Sequence, residues 1–185
     1  MSIIRLLLTA FLPAAAAACI AVKKHVSVYA LAAVFCAAAV SLLPVIVLQH
    51  LVHSFLDAGI SGQPEAVQPL FNSFITAGLI EEAVKAAFFC LTAAVLLKKK
   101  LPAGQSIILA VFFGLAFSGF ENISYSLRYS GVQFLRLLTA STLHGILGCF
   151  YVSIVSAETK RKAVLIFVSA VFLHGLYNFF IFLLT

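Results

Sequence analysis

Two adjacent carboxylates and an ammonium group lie in the middle of a long apolar stretch of the chain. Glu81, Glu82 and Lys85 fall within the apolar run 70–97, which is long enough to cross a lipid bilayer. A charged side chain at the centre of a bilayer costs at least about 2.5–3.5 kcal/mol to insert, and such residues usually mark functional sites. The three residues are therefore the first candidates for a site of proton transfer, charge pairing or metal binding.

The composition of the whole chain indicates a polytopic membrane protein. Of its 185 residues, 63% are hydrophobic and 10% are charged, whereas soluble domains are about 45–50% apolar and about 25% charged. The apolar runs are continuous and do not alternate with polar residues, which favours membrane helices over a β-barrel. Basic residues in short loops account for the net charge of +6, so nucleic acid is not an expected partner.

Six apolar runs of about 20 residues or more predict an all-α transmembrane helical bundle, in one membrane-embedded domain over residues 1–185. The predicted spans are approximately 3–22, 28–51, 70–97, 106–127, 132–156 and 163–184. The polar connection 57–69 is expected to be a loop on the non-cytoplasmic side. The first run has the small residues of a signal-peptide cleavage site, but Lys23 and Lys24 follow it directly and favour an uncleaved span.

The distribution of basic residues predicts the orientation in the membrane. Of the 12 Lys and Arg residues, Lys85 is intramembrane, eight lie towards one side of the membrane and three towards the other. The side with eight should be cytoplasmic by the positive-inside rule. Both termini are therefore predicted to be non-cytoplasmic.

Polar residues on three further predicted spans lie at a depth similar to that of the glutamates. At 1.5 Å per residue, Glu81, His144 and His174 are each roughly 16–18 Å from a helix end, near the midplane of a ~30 Å core. Glu121 lies somewhat nearer the outer face, and Asn178 follows His174 by one helical turn. A single intramembrane histidine is more often a packing residue, but the depth shared by four helices indicates one buried polar site.

The types of these residues are suited to binding a divalent metal. Histidine nitrogens and carboxylate oxygens are ligands of zinc, and catalytic zinc sites keep one position open for water. Glu121, His144 and His174 are the candidate ligands, because they approach the site from three different helices.

The two adjacent glutamates are the candidates for activating water. One of Glu81 and Glu82 would act as the base, or as a further ligand, and Lys85 can reach either carboxylate at i+4 or i+3. The i, i+3 pairing of Glu82 with Lys85 would leave Glu81 for the base. A metal-free mechanism is also open, in which the carboxylates activate water directly while His174 and Asn178 polarise the carbonyl.

The polar residues form motifs in a characteristic order along the chain. These are the motifs Glu81–Glu82–x–x–Lys85, Phe117–x–x–x–Glu121–Asn122, His144 and His174–x–x–x–Asn178. In this order they resemble the PrsW family of intramembrane proteases, in the wider superfamily of CAAX prenyl endopeptidases and bacteriocin-processing enzymes. Lys85 stands where the superfamily has Arg, and Glu121 where it has His, as in the PrsW branch.

The resemblance implies a metallo- or glutamate-type endopeptidase of the bacterial inner membrane. The implied cofactor is a divalent metal, with zinc as the expected ion, and the implied partner is a membrane-protein substrate, such as a single-span anti-sigma factor. Because midplane carboxylates and histidines also form proton relays, a proton- or ion-coupled transporter is the alternative function. The chain shows no inverted repeat, which weighs against that alternative.

Overall fold

The structure, a computed structural model, describes residues 3–60, 67–97, 101–128 and 133–184. Five of its helices are long and apolar enough to cross a membrane, which confirms the predicted all-α polytopic fold. In chain order the elements are α1 (Ile3–Lys23), α2 (Val28–Ile60), α3 (Val67–Phe71), π1 (Asn72–Glu81), α4 (Glu82–Leu91), π2 (Thr92–Leu97), α5 (Ala103–Arg128), α6 (Gln133–Val155) and α7 (Lys160–Leu184).

The third predicted span, 70–97, differs from the other five. It is helical throughout the described residues, but π1 separates α3 from α4, and π2 follows α4 directly. Its longest α-helical piece is α4 with 10 residues, and it is therefore not among the five membrane-length helices. π-Helical turns are rare and frequently occur at functional sites.

The polar connection after α2 is shorter than predicted. Helix α2 continues to Ile60 and α3 begins at Val67, so the predicted loop 57–69 is wrong at both ends. Residues 61–66 lie outside the described residues. Polarity alone does not end a helix, and the first proline in this connection is Pro64, which follows the end of α2.

A tight cap reverses the chain between α1 and α2. His25 adopts the left-handed conformation with φ 60, and the Val26 amide donates to the Ala21 carbonyl at 2.9 Å, as in a Schellman motif. The hydroxyl of Ser27 then accepts a hydrogen bond from the Ala30 amide at 3.1 Å and caps the start of α2. The reversal allows α1 and α2 both to pack against α5.

Helix α5 lies at the centre of the bundle. It packs against α6, α1 and α2, and the side chains of Phe113, Ala116 and Phe117 are fully buried at these contacts. Helix α7 packs against π1 and α6, while α4 packs against α2. The segment that carries the glutamates is therefore enclosed by α2, α6 and α7.

Glycines allow the helices around the glutamates to approach closely. A Cβ atom at Gly114 of α5 would overlap the backbone carbonyl of His144 on α6. A Cβ atom at Gly78 of π1 would lie 2.8 Å from the carbonyl oxygen of Val171 on α7, closer than real Cβ atoms come. Small residues permit such crossings in membrane bundles, and here they bring the polar side chains of neighbouring helices within reach of one another.

We expect Gly114→Ala to lower the free energy of unfolding by about 1–3 kcal/mol, because α5 and α6 must separate to admit the methyl group. The matched control is Gly104→Ala, since no atom of the described residues beyond the adjoining backbone lies within 4 Å of a Cβ atom built at Gly104. Thermal unfolding of the purified protein in detergent measures both. Equal melting temperatures for the two variants would contradict the close crossing.

Candidate active site

The adjacent glutamates lie at a junction between two helical geometries. Glu81 is the last residue of π1 and Glu82 is the first residue of α4. Glu81 is 5% exposed, and Glu82 and Lys85 are fully buried. Both carboxylates therefore lie in the interior of the bundle, although neighbouring positions of an α-helix point about 100° apart.

Lys85 pairs more closely with Glu82 than with Glu81. Its Nζ atom is 2.5 Å from Oε1 of Glu82 and 3.6 Å from Oε2 of Glu81, so the i, i+3 pair is the tighter one. The same ammonium lies 4.6 Å from the centre of the Phe117 ring. The face of an aromatic ring attracts cations, so the phenylalanine of the second motif forms one wall of the ammonium site.

Glu82 receives hydrogen bonds from three helices. Its Oε1 atom accepts from Lys85 on α4 and from Nδ1 of His174 on α7 at 2.7 Å. Its Oε2 atom accepts from the hydroxyl of Tyr151 on α6 at 2.7 Å. A buried carboxylate is tolerated when its oxygens are paired and hydrogen-bonded, and both oxygens of Glu82 meet that requirement.

The partners of each histidine identify its tautomer. The Nδ1 atom of His174 faces a carboxylate and donates to it, so in the neutral ring the lone pair is on Nε2. In His144, Nδ1 lies 3.1 Å from the ammonium of Lys85, a group that only donates, so Nδ1 accepts. The Nε2–H of His144 then donates to Oε2 of Glu121 at 2.8 Å. With one nitrogen accepting and the other donating, the His144 ring is neutral.

The two oxygens of Glu81 have different environments. Its Oε1 atom accepts a hydrogen bond of 3.1 Å from Nε2 of Gln49 on α2, which also donates to the carbonyl of Thr76. Its Oε2 atom is buried and has no hydrogen-bond partner among the described residues. This oxygen lies 3.6 Å from Nζ of Lys85 and 3.9 Å from Nε2 of His174.

Glu81, His144 and His174 form a group that could hold a metal ion. One donor atom from each lies within 4.8 Å of the other two, and all three residues are buried. The imidazole rings of the two histidines meet edge to face with centres 5.0 Å apart. When the His174 ring is neutral, Oε2 of Glu81 and Nε2 of His174 are both acceptors, an arrangement that a cation or a water molecule satisfies.

A network of hydrogen bonds between hydroxyl and amide groups joins α5 to α6 near Glu121. Asn122, the next residue of the motif, donates to the hydroxyls of Ser118 at 3.2 Å and Ser141 at 3.4 Å. The two serine hydroxyls are 3.1 Å apart, and they join α5 to α6 one helical turn from the Glu121–His144 hydrogen bond. The network therefore holds the two helices at the distance that this hydrogen bond needs.

Six of the seven residues predicted for the site are in one connected cluster. The six are Glu81, Glu82, Lys85, Glu121, His144 and His174. Asn178 lies one turn after His174 on α7, is half-buried, and has no side-chain hydrogen bond to another described residue. The group of possible metal ligands differs from the predicted one in a single member, since it contains Glu81 where Glu121 was predicted.

Sequence reasoning missed two residues that contact the glutamates. Gln49 lies near the end of an apolar run, and Tyr151 is one aromatic residue among many in the spans. Neither residue has a charge or a motif that marks it. A buried tyrosine in a membrane span needs a hydrogen-bond partner, which is the one signal that could have indicated Tyr151.

Comparison with known families finds a match over most of the chain. The profile described as PrsW family intramembrane metalloprotease matches residues 26–185. The chain belongs to the PrsW family. No curated protein and no solved structure matches the chain. Family membership confirms the predicted PrsW relationship and makes the protein a member of a family of membrane-embedded proteases.

The description of PrsW proteins as metalloproteases agrees with the donor group in the bundle. The three residues of that group come from π1, α6 and α7, and each belongs to a different one of the sequence motifs described above. The buried cluster therefore contains residue types that can bind a metal, in a chain that belongs to a family of metalloproteases.

We expect Lys85→Met to destabilise the protein by about 3–5 kcal/mol, because it leaves the buried charge of Glu82 without its cation. The matched control is Lys162→Met, which breaks the Lys162–Glu158 pair at the same distance of 2.5 Å but with both side chains largely exposed. An exposed pair contributes about 0–1 kcal/mol. Chemical or thermal unfolding in detergent measures both, and similar losses would contradict the burial of the Lys85 pair.

Proposed function

We propose that the protein is an intramembrane endopeptidase that hydrolyses a peptide bond of another membrane protein at the cluster of Glu81, His144 and His174. The observation that carries the proposal is the buried Oε2 atom of Glu81. It has no hydrogen-bond partner among the described residues and faces Nε2 of His174 at 3.9 Å. Two acceptors that face each other away from water are suited to hold a catalytic water molecule or a cation.

The donor set fits a divalent metal. Two histidines and one carboxylate are the ligands of one type of catalytic zinc site. Glu81, His144 and His174 would hold the ion, and His144 would exchange its bond to Lys85 or to Glu121 for it. When bound, the ion would polarise the peptide carbonyl and activate water. We propose zinc because imidazole and carboxylate donors in a three-residue set are typical of it.

The neighbouring residues orient these donors. Glu82 accepts the Nδ1–H of His174 and so directs the lone pair of Nε2 towards Glu81, while Lys85 balances the charge of Glu82. A hydrogen bond to the outer nitrogen of a ligating histidine holds the ring in one orientation and raises its basicity. We therefore assign Glu82 a positioning role and Glu81 the role of the carboxylate that meets the water.

Glu121 and Asn178 complete the proposed site. Glu121 accepts the Nε2–H of His144, and it is a further candidate ligand of the metal. Asn178 lies on the same face of α7 as His174, one turn further along, and its amide would donate to the oxyanion of the substrate. In a metal-free form of the reaction, Oε2 of Glu81 would accept the proton of the water directly.

The proposed substrate and cellular location are based on the family and on the predicted topology. We propose a bacterial inner-membrane protein of one domain over residues 1–185, with both termini on the non-cytoplasmic side and a place in the CAAX endopeptidase superfamily. A single-span membrane protein, such as an anti-sigma factor, is the proposed substrate class. A transporter is not proposed, because the chain belongs to a protease family.

We expect Glu81→Gln and His174→Ala to lower the rate of peptide hydrolysis by about 10²–10⁴-fold, because each removes a group that meets the water. The substrate is first found by comparing new protein N-termini in membranes of cells that express the parent protein or each variant. Cleavage of the identified segment by purified protein then gives the rates. Glu158→Gln is the control, since the Glu158 side chain is 79% exposed and pairs only with Lys162 among the described residues. Parent-like rates for both site variants would refute the proposed function.

We expect the purified protein to bind about one zinc ion per chain, as three protein ligands and an open position predict. His144→Ala should lose this zinc, whereas His53→Ala, which alters a half-buried histidine outside the cluster, should retain it. Elemental analysis after dialysis measures the content. If the protein cleaves its substrate at the full rate without bound metal, the proposed zinc ion is refuted, and the metal-free mechanism at Glu81 is retained.

A further inference from the structure

Tyr151 is a fully buried tyrosine whose ring is located by packing. Its side chain lies on α6 seven residues after His144, so the two residues share one face of the helix. It is 1% exposed, and its ring lies 6.0 Å from the rings of Phe89 and Phe113. These contacts hold the ring with or without a hydroxyl group, so the hydroxyl is free to serve a separate purpose.

The hydroxyl of Tyr151 is directed at a carboxylate of the site. It donates to Oε2 of Glu82 at 2.7 Å, and no other described residue donates to that oxygen. The second oxygen of Glu82 accepts from Lys85 and His174. The terminal torsion of a glutamate is broad, so donors on both oxygens are needed to hold the plane of the carboxylate in one orientation.

The orientation of the Glu82 carboxylate controls the orientation of His174. The Nδ1–H of His174 follows Oε1 of Glu82 at 2.7 Å, and the opposite nitrogen Nε2 then faces Oε2 of Glu81 at 3.9 Å. A carboxylate free to rotate would let the imidazole turn away from Glu81. The series of contacts from the Tyr151 hydroxyl through the Glu82 carboxylate to the His174 imidazole therefore ends where Nε2 of His174 faces Oε2 of Glu81.

We propose that Tyr151 is a positioning residue of the active site, whose hydroxyl fixes Glu82 and through it the orientation of His174. The proposal rests on the proposed function, because it assigns the hydroxyl a role in holding a donor of that site. A phenylalanine would fill the same space between Phe89 and Phe113, so packing does not account for the hydroxyl. Residues that orient a metal-binding histidine in this way usually change metal affinity or activity by about 10–100-fold when they are removed.

The test is Tyr151→Phe in the full-length protein, with zinc as the probe. We expect the affinity for zinc, measured by competition with a chelator, to fall about 10–100-fold. We also expect kcat for the cleaved segment to fall by a similar factor while KM is unchanged, because the hydroxyl does not meet the substrate. The matched control is Ser41→Ala, which removes a fully buried hydroxyl bonded within α2 to the Ala38 carbonyl. It should leave zinc affinity and kcat unchanged.

A second variant tests whether Tyr151 acts through Glu82. In a Glu82→Gln background, Tyr151→Phe should cause a smaller fold-change than in the parent, because the two changes interrupt the same chain of contacts. Independent, multiplicative effects would overturn the proposal. So would parent-like zinc affinity and kcat for Tyr151→Phe. If the parent protein binds no zinc but cleaves, kcat alone decides.

The two proposals fail in different ways. An active parent protein that is unaffected by Glu81→Gln refutes the proposed function. An active parent protein that loses activity with Glu81→Gln but not with Tyr151→Phe refutes only the positioning role of Tyr151.

Discussion

An ammonium and a carboxylate 2.5 Å apart, both fully buried, lie at the centre of the bundle. Taking either charge out of water is costly, and the attraction between them offsets that cost only when the remaining donors and acceptors are also satisfied. Lys85 and Glu82 therefore require partners from other helices. His144 and Tyr151 on α6 and His174 on α7 supply them, so the pair determines which faces of these helices must meet α4.

The contrast between the two glutamates follows from this pair. Glu82 is engaged at both oxygens, by Lys85, His174 and Tyr151, and it is suited to holding other groups in place. Glu81 is held at one oxygen by Gln49 and keeps the other without a hydrogen bond among the described residues. The two adjacent glutamates thus have different surroundings, because a single ammonium can pair closely with only one of them.

Close helix crossings make these contacts possible. Glycines at 78 and 114 bring π1 against α7 and α5 against α6, without side chains at the points of contact. Imidazole and carboxylate side chains are short, so a separation of even a methyl group would break hydrogen bonds of 2.7–2.8 Å between helices. The apolar surface of the bundle faces lipid, and the site depends on backbone proximity at its core.

The sequence by itself determined the membrane class, five of the six spans as membrane-length helices, and the residue types at the site. Hydrophobic length and the depth of a charge are local properties, so they can be obtained by counting along the chain. The motifs in their order also indicated the PrsW family, which the match over 26–185 confirms. The predicted loop at 57–69 was wrong because a polar segment continues a helix until a residue breaks it.

Only the tertiary structure decided which glutamate Lys85 holds, which partner each histidine nitrogen faces, and that Glu81 lies with the two histidines. It also revealed Gln49 and Tyr151, and it placed a π-helical segment directly before Glu82. These features depend on the rotation of each helix about its axis and on the distance between axes. Both are set by packing between residues far apart in the chain, and the spacing of residues within one helix does not encode them.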